Sequence, residues 1–274
     1  MKIDKDTIAC ISMASRPGDL GATIFNASFD HLSLNYIYKP FGVTLKNLDK
    51  GVNGIRAFGI RGCGVSMPHK VEVMKYLDEI DDVAKKIGAI NTIVNNDGKL
   101  TGYNTDFFGA KKIISETYNL SGKKVLIIGA GGVSRAIIMA LKENGAGEIF
   151  IANRNESKAE TLATEFELTT LPYDKINDFS ADLLVNATAV GMSPDVDEMI
   201  ILESAIDNFE AVMDVVIYPS VTKLMALAQN KGKVVIAGFN MALYQAAEQF
   251  KMYTGVEAPL GVMKENMINL FSQK

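Results

Sequence analysis

Two stretches of the sequence carry residue types suited to chemistry. In Lys123-Lys124-Val125-Leu126-Ile127-Ile128-Gly129-Ala130-Gly131-Gly132-Val133-Ser134-Arg135-Ala136, four apolar residues run into a glycine cluster, and apolar positions on a helical period follow. Strand, tight turn and helix in that order make a cradle for phosphate. Gly129 permits the sharp turn, Gly131 lets backbone approach a pyrophosphate, and Ser134 stands where a small third residue lets helix pack on strand. The free N–H groups and positive end of the helix would face the phosphates. Ordinary turns also collect glycine; the position between a strand and a helix favours a dinucleotide.

The second stretch is Gly62-Cys63-Gly64-Val65-Ser66, leading into Met67-Pro68-His69-Lys70-Val71-Glu72-Val73-Met74. Proline suits a first helical turn, which predicts a helix with Lys70 in its opening turn. A cation at that pole meets the unfavourable end of the helix dipole, which disfavours its charged form and suits it to acid–base work. A solvated surface lysine is the plainer alternative. Further on, a strand over 88–94, a turn at Asn95-Asn96-Asp97-Gly98 and a return strand over 99–103 end at Asn104-Thr105-Asp106, just ahead of a helix over 107–118. The spacing lets Asp106 cap that helix.

The elements that must position these residues alternate along the chain. Before them come a strand over 8–13, a polar turn at Ala14-Ser15-Arg16-Pro17-Gly18-Asp19, a helix over 23–34, a strand over 35–40 and a helix over 44–58. A loop at a strand end, such as that of Ser15 and Arg16, is a natural place for substrate contacts. After the glycine turn, a strand over 148–152 ends at Asn153-Arg154-Asn155. NAD sites usually place a carboxylate at this strand end for the ribose hydroxyls; here it is absent. Arg154 offers a charge and fork suited to phosphate, and Lys158 lies four residues on at the start of a helix, so NADP is favoured over NAD. Pairing of these two cations with Glu156 or Glu160 is the plainer alternative. A strand and loop over 183–192 includes Asn186 and Thr188, and loops beyond strand ends line the ligand crevice of an open α/β sheet. A strand over 212–216 runs to Tyr218-Pro219, Thr222 opens a helix, and a last strand over 233–237 leads into a helix over 240–253 that carries Gln245. An amphipathic helix begins near Ala258.

Composition bounds the partners. The 274 residues, 48% hydrophobic and 22% charged with a formal net charge of −4, suffice for one large or two small cores and give no basic excess for nucleic acid. Only Cys10 and Cys63 are present, which argues against a disulfide framework or thiolate metal site and predicts two packing residues in a reducing compartment. No apolar run reaches membrane-spanning length, and the first residues lack the apolar core of a signal peptide, so a cytoplasmic location is expected.

Four ordered motifs then carry a resemblance. Gly64-Val65-Ser66-Met67-Pro68-His69-Lys70, Gly88-Ala89-Ile90-Asn91-Thr92, Gly102-Tyr103-Asn104-Thr105-Asp106 and Gly129-Ala130-Gly131-Gly132 resemble those of shikimate dehydrogenases and their paralogues, and the match continues over nearly the whole chain. The resemblance implies a two-domain enzyme that interconverts shikimate and 3-dehydroshikimate with a nicotinamide cofactor. It implies that Lys70 and Asp106 form the catalytic pair, with Lys70 the favoured proton carrier and Asp106 its orienting partner. Ser66, Asn91, Tyr218 and Gln245 match residues beside the substrate. Asn153-Arg154-Asn155 resembles the family's Asn-Arg-Thr, and Asn186-Ala187-Thr188-Ala189-Val190-Gly191-Met192 its Asn-Ala-Thr-Ser-x-Gly-Met. The cofactor set is therefore Gly129, Ala130, Gly131, Gly132, Val133, Asn153, Arg154, Lys158, Asn186 and Thr188, with Gly238 and Met241 at the head of the last long helix; no metal is expected.

One departure stands out. Family members carry a Ser-x-Ser pair that binds the substrate carboxylate, and alignment back from Phe25-Asn26 places Leu20-Gly21-Ala22 there, without either hydroxyl. Loss of two anion contacts weakens acid binding by a few kcal/mol at most, about what charge-assisted bonds contribute. Ser15 and Arg16 are the nearby groups able to compensate, arginine by a bidentate grip. The chain thus resembles the divergent shikimate-dehydrogenase-like branch.

The expected architecture is α/β: a substrate domain of residues 1–104 with a return over 238–274, and a doubly wound Rossmann domain over 105–237. The expected activity is NADP-linked oxidation of shikimate or a related cyclic hydroxy acid, by a monomer or homodimer without membrane or nucleic-acid partners. A nucleotide-bound sensor on the same scaffold, or an enzyme of the amino-acid-dehydrogenase-like layout acting on a folate derivative, are the other readings.

Overall fold

The computed structural model describes residues 3–272, which divide into two compact units at Thr105/Asp106 and Tyr244/Gln245. In the first unit the strands are β1 (Ile8–Ala14), β2 (Tyr36–Gly42), β3 (Gly62–Val65), β4 (Glu79–Ile80), β5 (Thr92–Asn96) and β6 (Lys99–Tyr103). They form a mixed sheet in the order β2-β1-β3-β5-β6-β4. β1 pairs parallel to β2 and β3, while β5 runs antiparallel to β3 and to β6. Helices α1 (Leu20–His31), α2 (Leu48–Ala57) and α3 (Asp82–Ile87) connect them. The β5–β6 hairpin turns at Asp97 and Gly98, both at positive φ, which glycine and aspartate tolerate best.

Edge strand β2 is closed by a side chain. Asn26 on α1 accepts from the Tyr38 backbone N–H and donates to its carbonyl, standing in for a neighbouring strand. Beneath it Phe25 stacks on Tyr38 at 4.6 Å between ring centres.

The second unit holds α4 (Thr105–Thr117) from Asp106 on, then β7 (Lys124–Ile128), α5 (Gly132–Glu143), β8 (Glu148–Ala152), α6 (Glu156–Phe166), β9 (Thr169–Thr170), β10 (Leu183–Asn186), β11 (Ala211–Asp214), α7 (Lys223–Asn230) and β12 (Val234–Ala237). All strands are parallel, in the order β12-β11-β10-β7-β8-β9. The order reverses between β7 and β10, the switch point of a doubly wound sheet. Strands β7, β10 and β11 are almost continuously buried, as parallel strands covered on both faces must be.

Helix α8 (Gly238–Thr254) begins in the second unit and ends in the first, and α9 (Leu260–Ser272) packs along α1. The end of α8 is fastened by Arg61, whose guanidinium donates to the carbonyls of Met252, Tyr253 and Asn95. Tyr253 is 1% exposed and its ring fills the space left by the missing side chain of Gly62. A Cβ on Gly62 would overlap that ring, which has no room to swing. Gly62→Ala is expected to cost about 1–3 kcal/mol, read as a lower urea midpoint, and Tyr253→Leu in the same chain should recover part of it.

One predicted element is absent. Residues 67–71 form turns, followed only by a short 3-10 helix, Glu72–Tyr76. The reason is non-local: the Lys70 carbonyl accepts from the distant Ile90 N–H at 2.8 Å and not from the Met74 N–H that a helix would give it, which goes to Val71 instead. Lys70 therefore sits in a turn tied to the segment before β5, and the helix-dipole argument for its acid–base role does not apply.

Candidate functional site

In the first unit the loops at the strand ends are bonded to one another. The Ser15 N–H donates to the Met67 carbonyl at 3.1 Å and the Ser66 N–H to Met13 at 2.9 Å, which hold the turn after β1 against the Met67–Lys70 turn. His69, fully buried, donates from Nε2 to the Val43 carbonyl at 2.7 Å; a carbonyl only accepts, so the proton is on Nε2. The Val65 N–H donates to the Asn91 carbonyl at 2.7 Å, and the Asn91 N–H to Tyr103 at 3.0 Å. Ser15, Ser66, Lys70 and Asn91 are thus carried on mutually braced backbone. Ser15, Arg16 and Ser66 are exposed, Lys70 is half-buried and Asn91 is 3% exposed.

Gln245, half-buried on α8, donates to Thr105 Oγ1 at 3.1 Å, and Thr105 donates its backbone N–H to Asn91 Oδ1 at 2.7 Å. Asp106 follows, 8% exposed, within the first turn of α4 rather than at its cap. Leu20, Gly21 and Ala22 form the first turn of α1, and Gly21 lies under the Tyr38 ring, where a Cβ would stand 2.9 Å from Tyr38 Cε1.

In the second unit the glycine turn opens at the switch point. Gly129 has φ 121°, and a Cβ there would stand 2.7 Å from the Ala187 carbonyl oxygen, so only glycine allows β7 and the loop after β10 to approach this closely. A Cβ on Gly131 would meet nothing within 4 Å. That open face lies directly before α5, whose first residues are Gly132 and Val133. Ser134, fully buried, accepts from the Gly131 N–H at 3.1 Å and so shapes the turn as well as packing under it. Room at Gly131 and the free first turn of a twelve-residue helix fit a pyrophosphate.

At the end of β8, Asn153 donates to the Asn155 carbonyl and Asn155 caps α6 by accepting from the Lys158 N–H. Arg154 and Lys158 are both exposed, and neither forms an ion pair among the described residues. Their pairing with Glu156 or Glu160 is not what the structure shows. Two uncommitted cations beside a helix N-terminus fit a 2′-phosphate.

The loop after β10 is ordered from within. Asn186 donates to the Val190 carbonyl and to Asp214 Oδ1, both at 3.1 Å, and accepts from the N–H and hydroxyl of Thr188. Its side chain is fully used in holding the loop, and the Thr188 hydroxyl is used with it, donating to Asn186 and accepting from the Val190 N–H. Asp214, fully buried, also accepts from the Val216 N–H and from Thr222, the cap of α7. Burial pushes its carboxyl above the ordinary aspartate range, and these three hydrogen bonds oppose that shift. Gly238 admits the close approach of the head of α8 to the end of β11, and Met241 is buried one turn on. Tyr218 follows β11, and its carbonyl accepts from the Ser193 N–H.

Three family models match in chain order: Shikimate dehydrogenase substrate binding domain over residues 20–93, Shikimate / quinate 5-dehydrogenase over 109–218, and Shikimate 5'-dehydrogenase C-terminal domain over 238–267. The Shikimate dehydrogenase-like protein of Haemophilus influenzae is 39% identical over 92% of each chain. The chain belongs to the shikimate dehydrogenase family. Its relatives include the Shikimate dehydrogenase (NADP(+)) of Methanobrevibacter smithii, 40% identical over 88% of this chain and 89% of that one. The crystal structure of shikimate 5-dehydrogenase from Thermus thermophilus in complex with NADP(H) and shikimate superposes with a TM-score of 0.85 at 30% identity, covering 96% of this chain and 99% of that one.

Other sites do not compete with this one for the family's chemistry. Both cysteines are fully buried, and burial pushes the Cys10 thiol up to about 12, so neither offers a thiolate near neutral pH. A groove of about 580 Å³ is lined by Asp78, Glu79, Asp81 and Tyr103 among others, none of them a residue assigned above. Its acids are already engaged: Asp78 with the Leu100 N–H and Arg56, Glu79 with Lys99, and Asp81 as the cap of α3.

The sequence reading missed Thr92, Thr105, Gln249 and Asp214. Gln249 had a usable signal, since it lies four residues after Gln245 and so on the same helix face. Asp214 had one as well, as an acid closing an otherwise apolar strand.

Proposed function

We propose that this chain is an NADP-dependent dehydrogenase that interconverts shikimate, or a closely related cyclic hydroxy acid, with its 3-dehydro ketone. The observation that carries the reading is the nucleotide crevice: a switch-point turn open at Gly131, with the uncommitted cations Arg154 and Lys158 at the next strand end. Family membership supplies the substrate class, as relatives are named shikimate dehydrogenases and one of their structures holds shikimate.

Ala130, Gly132 and Val133 take the pyrophosphate on backbone N–H groups, while Gly129 and Gly131, whose own N–H groups are bonded to Ala152 and Ser134, give the turn and the room for it; Asn153, Arg154 and Lys158 take the adenosine ribose with its 2′-phosphate, and Thr188, Gly238 and Met241 border the rest. Bound NADP supplies the hydride acceptor. Oxidation of an alcohol removes the hydroxyl proton as hydride leaves carbon, so a group must hold the oxygen and take that proton. Lys70 takes this role and Asp106 orients it. Ser66, Asn91, Tyr218 and Gln245 bind the ring hydroxyls.

Arg16, with Ser15, takes the carboxylate that the family's serine pair would otherwise hold. Ser15 is bonded through its backbone to the Met67 turn, which supports placing both near Ser66 and Lys70. The acid has a different grip here, so shikimate and quinate differ in affinity from what the serine pair would give. A cytoplasmic monomer or homodimer completes the reading.

The test is absorbance of the reduced cofactor with NADP and a panel of shikimate, quinate and related acids. Turnover of at least one cyclic hydroxy acid is expected, with KM raised about 10- to 100-fold by Arg16→Ala, the size of one charge-assisted contact. NADP binding without turnover of any such acid would refute the enzymatic reading.

A further inference from the structure

Asn91, Thr92, Thr105, Gln245 and Gln249 form one buried polar network in the first unit, and its hydrogen positions are forced by two backbone groups. The Thr105 N–H can only donate, so the atom of Asn91 that faces it at 2.7 Å is the carboxamide oxygen. The Asn91 carbonyl can only accept, so the atom of Gln249 that faces it at 3.1 Å is the amide nitrogen, whose second contact, at 2.8 Å, is Thr92 Oγ1.

Thr92 must therefore accept from Gln249 and direct its own hydrogen elsewhere. Asn91 Oδ1 lies 2.8 Å from it, and 3.0 Å from Thr105 Oγ1. Thr105 donates its hydroxyl hydrogen to Asn91 Oδ1, and its oxygen accepts from Gln245 at 3.1 Å. The outward side follows. Asn91 turns its NH₂ away from the network, Gln245 turns its carbonyl oxygen away, and neither group has a partner among the described residues.

We infer that Gln249 and Thr92 are positioning residues that reinforce the polarity the Thr105 N–H gives the substrate site, holding Asn91 as a donor and Gln245 as an acceptor toward the ligand. A ligand oxygen that meets Asn91 must accept, and one that meets Gln245 must carry a hydrogen. The site thereby selects a free hydroxyl at Gln245 and rejects an ether or ketone there. The inference rests on the proposed reading that Asn91 and Gln245 hold the substrate. Gln249 lies 157 positions from Thr92 and is 6% exposed, so it acts without touching the ligand.

Thr92→Val and Gln249→Met each remove a link of similar size, and Thr92→Ser keeps the hydroxyl. The side-chain amide pair of Asn91 in ¹H–¹⁵N spectra of the unliganded protein reads the positioning itself. It is expected to move toward the position of a mobile, solvated amide in Thr92→Val and Gln249→Met, and to stay at the wild-type position in Thr92→Ser. With shikimate and NADP, both disruptive variants should raise the KM for shikimate about tenfold, roughly one net buried hydrogen bond, with kcat and the KM for NADP within about threefold of wild type. Folded variants whose Asn91 amide signals are unmoved would overturn the inference. A moved amide in a protein whose wild type does not bind shikimate would instead refute the substrate reading while leaving the positioning in place.

Discussion

Lys70→Met is expected to lower kcat for shikimate oxidation by about 10²–10⁴-fold, the range that a positioned acid–base group contributes, while the affinity for NADP stays unchanged. The turn that holds Lys70 is secured by backbone and by its neighbour: the Lys70 carbonyl accepts from Ile90, and His69 donates to Val43. Removing the ammonium leaves those backbone bonds in place, so the chain should still fold and the loss should appear in turnover. Nucleotide contacts are assigned to the second unit and Lys70 belongs to the first, which is why NADP titration should be unaffected. Lys70→Arg should fail as well, because a guanidinium keeps its proton at any pH where the protein is folded. Loss of NADP affinity in parallel with kcat would show that the residue supports the fold, and undiminished turnover would remove it from the reaction.

The second large effect concerns the cofactor. Arg154→Ala with Lys158→Ala should raise the KM for NADP about 10²- to 10³-fold, from two charge-assisted phosphate contacts, and leave the KM for NAD within about threefold. Both cations are exposed and without ion-pair partners among the described residues, so their removal breaks nothing in the folded protein. Asn155 caps α6 with its own side chain, which keeps that helix start independent of either substitution. An equal loss with NADP and NAD, measured at a fixed concentration of shikimate, would show that these residues serve the adenine or the fold instead of the 2′-phosphate.

Much of the nucleotide-binding unit was legible in the sequence because its information is local. Apolar runs of four or five residues mark strands that are buried on both faces, and glycine at 129 and 131 falls where one position needs positive φ and the other needs open space. Helix α3 was legible too but went unread: Asp81 caps it, and Gly88 ends it at φ 69°. Helix α1 starts at Leu20, three residues before the apolar pattern suggests, because its first turn is only half-buried and the pattern marks the fully buried positions from Ile24 on.

Long-range contacts account for the rest. Nothing near Lys70 announces that Ile90 will claim its carbonyl, so a proline followed by good helix positions reads as a helix and folds as a turn. The same holds for the buried network. Thr92 and Thr105 meet across 13 positions and Gln249 joins them from the other end of the chain, so their types are visible in the sequence while their pairing is not.

Hydride transfer from a ring carbon of the acid to NADP on this chain is followed most directly with an isotope. Shikimate deuterated at C3 is mixed with NADP and enzyme in excess, and the reduced cofactor and the ketone are both quantified by mass. One deuterium per reduced cofactor, with one equivalent of 3-dehydroshikimate, is the result this account predicts. Bound NADP and bound shikimate with no label in the cofactor and no ketone would contradict it.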